Sequence, residues 1–271
     1  MKFRTEIANL IFDKINTNKE DLKNQFEASK KEIGFFFLDD LLPKEFALEI
    51  YKKFPRIEET VKRNSFREFK HTAYQMDKYD ALLEEVIYAF QDIRIVKLVG
   101  DICEIEDISA DEKLYAGGLS LMGKENFLNP HLDNYHDKDR NRWRVLNLLY
   151  YVTPNWKLEN GGNLEIWPKG IKDKQTIIES KFNRLVVMAT HQKSWHSVSK
   201  VEVDAIRCCV SNYYFSSEPL LNSDTFHVTT FRGRPSEKIK DFVLQIDNSI
   251  RQSLRVLFKK GVRENPHQYK K

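Results

Sequence analysis

Over the first hundred residues the apolar positions recur every three or four places: Ile7, Leu10, Ile11 and Ile15, and later Leu82, Leu83, Val86, Ile87 and Phe90. Side chains so spaced share one face of an α-helix, so this third of the chain is predicted to be mostly helical. Between the two clusters, FFFLDDLLPKEFALEIYKKF (35–54) predicts a short strand, a turn and a helix opened near Pro43, because proline is tolerated in a helix's first turn. After residue 112 the rhythm changes to short runs that alternate or are apolar throughout, separated by turn residues: KLYAGGLSLM, WRVLNLLYYV, GNLEIW, QTIIES, NRLVVMA and IRCCVSNYYF. Adding short strands around His131 and His196 gives about eight strands in about 105 residues, the density of a jelly roll or a barrel. Helical spacing returns after Ser236 (Ile239, Phe242, Val243, Ile246, Ile250, Leu254, Leu257) and stops near Gly261. There is no internal repeat and no low-complexity linker. The expected architecture is one domain over residues 1–271: helical support to 111, a β core over 112–217, and an extension with a helix over 218–271.

Composition narrows the classes. Of 271 residues, 41% are hydrophobic and 31% charged, as in soluble globular proteins. Forty-four basic residues stand against 40 acidic ones, and the resulting +4 is spread thinly, which does not demand a nucleic-acid surface. The most basic stretch, KKGVRENPHQYKK (259–271), reads as a solvated end. The three cysteines, Cys103 and the adjacent Cys208 and Cys209, form no CxxC pair, against a disulfide framework or a zinc ribbon and in favour of a reducing compartment. The start, MKFRTEIANLIFDKI, lacks the apolar stretch of a signal peptide, and no run approaches the ~18 residues of a membrane span. A cytoplasmic protein is expected.

The chemistry gathers around NPHLDNYHD (129–137). In a strand, residues two apart share a face, so His131 and Asp133 could offer a nitrogen and an oxygen to one ion. Such a pair alone is weak. HQKSWHSVSK supplies a third candidate, His196, and two histidines with one carboxylate make the facial triad of non-haem Fe(II) oxygenases, although zinc accepts the same ligands. Arg207 lies inside the apolar strand AIRCCVSNYYF, where a guanidinium is costly unless it meets an anion such as a carboxylate; the plainer alternative is an arginine at a sheet edge pointing to solvent. Counting by twos, Arg207, Cys209, Ser211 and Tyr213 share a face. In RWRVLNLLYYV, Val145, Asn147, Leu149 and Tyr151 do the same; the Tyr151 hydroxyl could donate to Arg207's anion, or be an ordinary core aromatic.

Taken together, HLDNYHDKDRNRWRVLNLLYYVTPNWKLENGGNLEIWPKG and the later FNRLVVMATHQKSWHSVSKVEVDAIRCCVSNYYF resemble the core of the Fe(II)- and 2-oxoglutarate-dependent oxygenases, within them the prolyl-hydroxylase-like branch that includes the oxygen-sensing enzymes. The resemblance spans roughly residues 112 to 217 in order and spacing. It implies a double-stranded β-helix and a dioxygenase that hydroxylates an unactivated C–H bond. It also implies Fe(II) on His131, Asp133 and His196, and 2-oxoglutarate gripped by Arg207 with help from Tyr151. O2 is the second cosubstrate and ascorbate a candidate reductant. The substrate it implies is a peptidyl prolyl residue or a polar small molecule such as an amino acid or sugar. FFFLDDLLPKEFALEIYKKF is similar to the helix that often precedes such a core, whereas residues 218–271 match no part of the motif.

Other readings stand beside this one: a cupin-like binding protein without catalysis, and a zinc hydrolase on the same triad, which would give Arg207 no purpose. A nucleic-acid oxygenase is the weakest, since no stacking aromatics interleave with Arg140, Arg142 and Arg144, which are expected to make the rim basic. The charged NYHDKDRN (134–141) and FRGRP segments hint at a polar or anionic substrate. His136 is expected at the entrance, His191 on the face away from His196, and His71, His227 and His267 at the surface. Cys208 and Cys209 read as packed strand residues, with only Cys209 near the cofactor and open to oxidation. Oligomeric state leaves no mark on the sequence.

Overall fold

The computed structural model describes residues 2–115, 117–137, 139–257 and 269. The first third forms α1 (Lys2–Thr17), α2 (Lys19–Lys30), β1 (Phe35–Leu38), α3 (Lys44–Lys52), β2 (Val61–Asn64), β3 (Glu68–Ala73), α4 (Ala81–Ala89), α5 (Ile93–Cys103) and β4 (Ser109–Ala110). Asp80 and Asp92 open α4 and α5 by accepting from the Leu82 and Arg94 amides at 3.0 Å, satisfying donors that a helix start leaves bare. The β2–β3 hairpin departs from the helical expectation.

The core follows as β5 (Gly118–Met122), β6 (Phe127–Leu132), β7 (Trp143–Tyr151), β8 (Leu164–Ile166), β9 (Thr176–Ile178), β10 (Arg184–Ala189), β11 (His196–Val198) and β12 (Arg207–Ser216), eight strands as the spacing suggested. Then come β13 (Thr230–Phe231) and α6 (Lys238–Leu257); the expected stop near Gly261 lies outside the described residues. The strands form one curled antiparallel sheet in the order β1-β10-β7-β12-β5-β3-β6-β11-β8-β9, with β2 on β3, β4 on β12 and β13 on β6. This is the jelly-roll arrangement with flanking helices.

Alternation along β7 and β12 divides the molecule into a packed side and a chemical side. Leu146, Leu148 and Tyr150, with Cys208, Val210 and Tyr214, join the core built with Ile7, Ile11, Val86 and Val99 of the helices. Asn147, Leu149 and Tyr151, with Arg207, Cys209, Ser211 and Tyr213, face a cavity on the other side. The helical layer thus buries one face of the sheet and leaves the concave face for the site.

Candidate active site

β6 and β11 are antiparallel neighbours with His131 directly opposite His196, and the two rings lie 4.0 Å apart. Asp133 follows just beyond the end of β6 rather than within it, which turns its carboxylate toward both rings. Asp133 Oδ1 is 3.6 Å from His131 Nε2 and Oδ2 is 3.8 Å from His196 Nε2, and one ligand atom from each residue lies within 4.8 Å of the others. Two ligands each about 2.1 Å from one ion sit about 3 to 4 Å apart, so the spacing suits a shared metal. The Nδ1 atoms lie 2.9 Å from the Asn129 and Ser194 carbonyl oxygens. A carbonyl only accepts, so each Nδ1 carries the proton and each Nε2 is left as a bare ligand nitrogen.

Electrostatics agrees with a ligand set. Burial, with His196 alongside, lowers the His131 pKa to about 3 and keeps the ring neutral. Burial alone would raise Asp133, but His196, Arg144 and His131 outweigh it and hold the carboxyl below its usual range. Asp133 Oδ2 is nevertheless buried without a hydrogen-bond donor among the described residues. An orphaned carboxylate oxygen beside two bare imidazole nitrogens is a donor set that suits Fe(II) or zinc.

Two cavities meet at these side chains. The inner one, about 110 Å³, runs between β5, β7 and β12 and has Arg207, Tyr151, Asn147 and Ser120 on its wall. Arg207 is 3% exposed, reaches Ser120 Oγ only at 3.5 Å, and sits 5.3 Å over the Tyr151 ring. Among the described residues the Arg207 Nε, the Tyr151 hydroxyl and the Asn147 Oδ1 have no hydrogen-bond partner, and the first two are donors of the kind a carboxylate accepts. Burial raises the Tyr151 pKa, so its hydroxyl stays a donor. Burial also pushes the Cys209 thiol up to about 11, which keeps it protonated and runs against an oxidation-sensitive role. The outer cavity, about 340 Å³, opens past Asp133 between β3, β6 and β13.

Several polar residues lie elsewhere than their sequence context suggests. Arg144 is not on the rim: it is 4% exposed, with Nη1 3.7 Å from Asp133 Oδ2 and its guanidinium 4.4 Å over the Tyr213 ring. Arg142 is exposed and donates to Ser109 Oγ. The arginines of FRGRP are tied down, Arg232 to Asp241 and Arg234 to Glu165, both at 2.7 Å. His136 is buried, with Nδ1 donating to the Asp137 carbonyl. His191 is a neutral structural residue, donating from Nε2 to the Ile33 carbonyl and accepting the Lys193 amide at Nδ1. His71 and His227 are half-buried rather than surface residues, the latter 4.1 Å edge-on to Tyr135, and His267 lies outside the described residues. The C-terminal extension also reaches the site, since Phe231 stacks on His131 at 5.3 Å and Arg251 lines the outer cavity.

The model of the 2OG-Fe(II) oxygenase superfamily matches residues 117–215, the stretch that holds the three candidate ligands and Arg207. Members of that superfamily are oxygenases that use Fe(II), 2-oxoglutarate and O2. Among solved structures, a prolyl hydroxylase from Trichoplax adhaerens, in complex with a peptide of hypoxia inducible factor, is 18% identical with a TM-score of 0.51, over 74% of this chain and 91% of that one. A prolyl-4-hydroxylase from Pseudomonas putida is 16% identical with a TM-score of 0.53, over 71% and 97%. Prolyl 4-hydroxylase from Phytophthora capsici is 17% identical with a TM-score of 0.53, over 93% and 80%. At these identities the likeness is one of fold. No curated protein matches the chain. Among the described residues no helix is long and apolar enough to cross a membrane.

Proposed function

We propose that the protein is an Fe(II)- and 2-oxoglutarate-dependent hydroxylase, with iron on His131, Asp133 and His196 and 2-oxoglutarate held by Arg207 and Tyr151. The observation that carries this is the meeting of the ligand trio with a cavity that ends in a buried guanidinium whose Nε is unpaired. When bound, Fe(II) with 2-oxoglutarate and O2 supplies the oxidant that converts a C–H bond to C–OH, while 2-oxoglutarate is released as succinate and CO2.

The chain's own residues orient and shield that chemistry. The Asn129 and Ser194 carbonyls fix the two imidazoles, and Phe231 covers one of them. Arg207 accounts for the charge of one 2-oxoglutarate carboxylate, with the Tyr151 hydroxyl donating beside it. Leu149, Leu164 and Val198 line the inner wall and limit water there. A zinc hydrolase on the same triad gives this buried arginine nothing to hold. For the substrate, the prolyl hydroxylases among the fold's neighbours favour a peptidyl prolyl residue, and the polar outer cavity favours a small molecule such as an amino acid or sugar.

The test is anaerobic titration with Fe(II) and then 2-oxoglutarate, following the visible charge-transfer absorption of the bound chelate. Wild type should develop the band, and Asp133→Ala should lose it together with all succinate formation. Arg207→Ala should weaken 2-oxoglutarate binding about a hundredfold, the loss expected of a two-pronged charged contact. A folded wild type without the band would refute the assignment.

A further inference from the structure

Five cationic side chains, Arg63, Arg67, Lys70, Arg144 and Arg251, line the outer cavity. Among the described residues the carboxylates that meet them are three: Glu68 pairs with Lys70 at 2.9 Å, Asp247 is shared by Arg67 and Arg251, and Asp133 lies 3.7 Å from Arg144. Two positive charges are therefore in excess, and Asp133 is also the carboxylate that a metal would claim. Arg144 shows the mismatch most sharply, being almost wholly buried, with an Nε that has no hydrogen-bond partner among the described residues and an ion pair too long for a hydrogen bond. Among the described residues Arg63 makes one side-chain hydrogen bond, to the Thr72 hydroxyl at 3.4 Å, and feels the Glu68 carboxylate without forming an ion pair with it. Apolar lining is sparse, chiefly Leu128 and Phe231.

Unpaired buried charge is expensive to maintain, and a concave surface of one sign concentrates ions of the other. A neutral substrate would leave these guanidinium groups uncompensated, whereas a phosphate or carboxylate accepts their parallel N–H donors. A volume of about 340 Å³ is that of a metabolite pocket.

We propose that the outer cavity is an anion site, and that the substrate is a small molecule whose phosphate or carboxylate group is held by Arg144 and Arg63, with Lys70 and Arg251 beside them. This rests on the oxygenase reading for its position next to the reacting centre, and it narrows the substrate to an acidic metabolite rather than a prolyl peptide.

Calorimetric titration of the metal-free protein with inorganic phosphate, and separately with malonate, reads the site without iron. At least one anion should bind, and Arg63→Gln and Arg144→Gln should each raise its Kd about tenfold or more, while Arg142→Gln, at an exposed arginine that lines neither cavity, should leave it unchanged. Tighter phosphate binding assigns a phosphorylated substrate and tighter malonate binding a carboxylic one, and either supports the site. Because Arg63 makes so few contacts, its variant keeps the test valid if Arg144→Gln fails to fold. The proposal is overturned if neither anion binds, or if Arg207→Ala abolishes binding that Arg63→Gln and Arg144→Gln both retain. The chelate band of wild type is recorded in parallel: a normal band without anion binding removes this site alone, and anion binding without a band removes the oxygenase reading alone.

Discussion

His131 is built into the sheet as a neutral ring, and the metal-free protein's stability must depend on pH for that reason. The His131 pKa falls from an ordinary value near 6.5 to about 3 through burial, and burial lowers His191 as well. Between those values the unfolded chain takes up protons that the folded chain refuses, so stability must fall as pH falls from about 6.5 toward 3. The depressed Asp133 acts in the same direction at the acid end. Each buried histidine contributes at most about 1.4 kcal/mol per pH unit. Urea midpoints of the metal-free protein should drop from pH 8 to pH 5, and His131→Gln should flatten the slope; a level wild-type profile would contradict the buried neutral rings. His131, His196 and Asp133 were legible in the sequence because each lies on or beside a recognisable strand. Arg144 was not: in RNRWR it reads as one more loop charge, and only the closeness of β7 to Asp133 makes it a buried residue of the site.

The strands of the core were readable because the helices bury one face of the sheet, which forces apolar residues onto alternate positions of β7 and β12. The β2–β3 hairpin was not, since VKRN and EFKHTA carry charges on both faces, and their pairing depends on β5 and β6 from far along the chain. In α6 the spacing gave the helix, but its apolar positions face outward. Ile239, Phe242, Ile246 and Ile250 are exposed, whereas Leu244, Asp247, Asn248 and Arg251 face the protein, because ion pairs rather than apolar packing dock the helix. The turn ENGG depends on its glycines. Gly161 has φ +72°, and a Cβ there would lie 1.9 Å from the Lys200 carbonyl oxygen. Gly162 has φ +66°, and its Cβ would lie 3.1 Å from Arg207 Cδ. Gly161→Ala should cost about 2 kcal/mol or more in urea unfolding. Gly162→Ala should add a severalfold loss of 2-oxoglutarate affinity by displacing Arg207, so an unchanged cosubstrate titration would show that the turn does not position it.

The C-terminal extension, which resembled nothing in sequence, ties distant parts of the molecule to the site. β13 pairs with β6 beside His131, and Arg234 reaches Glu165, whose carboxylate accepts from Ser197, the neighbour of His196, at 2.6 Å. On the other side of the outer cavity, Asp247 of α6 takes Arg67 from the β2–β3 turn and Arg251 from its own helix. The Asn129 side chain in turn donates to the Phe66 carbonyl in that turn at 2.7 Å, so the hairpin, α6 and the strand of His131 share one set of contacts. If this is a mechanical unit, loosening one part should loosen the others. Asp247→Asn leaves two guanidinium groups facing each other without a carboxylate, and at these half-exposed positions it should cost only about 1 kcal/mol of global stability. Its effect should be regional. Hydrogen exchange should accelerate together in 61–73 and 238–257, while the β7–β12 centre remains protected. Acceleration confined to the helix would mean that the hairpin holds its place through β3's pairing with β5 and β6 alone, leaving Arg63 and Lys70 correctly placed without α6.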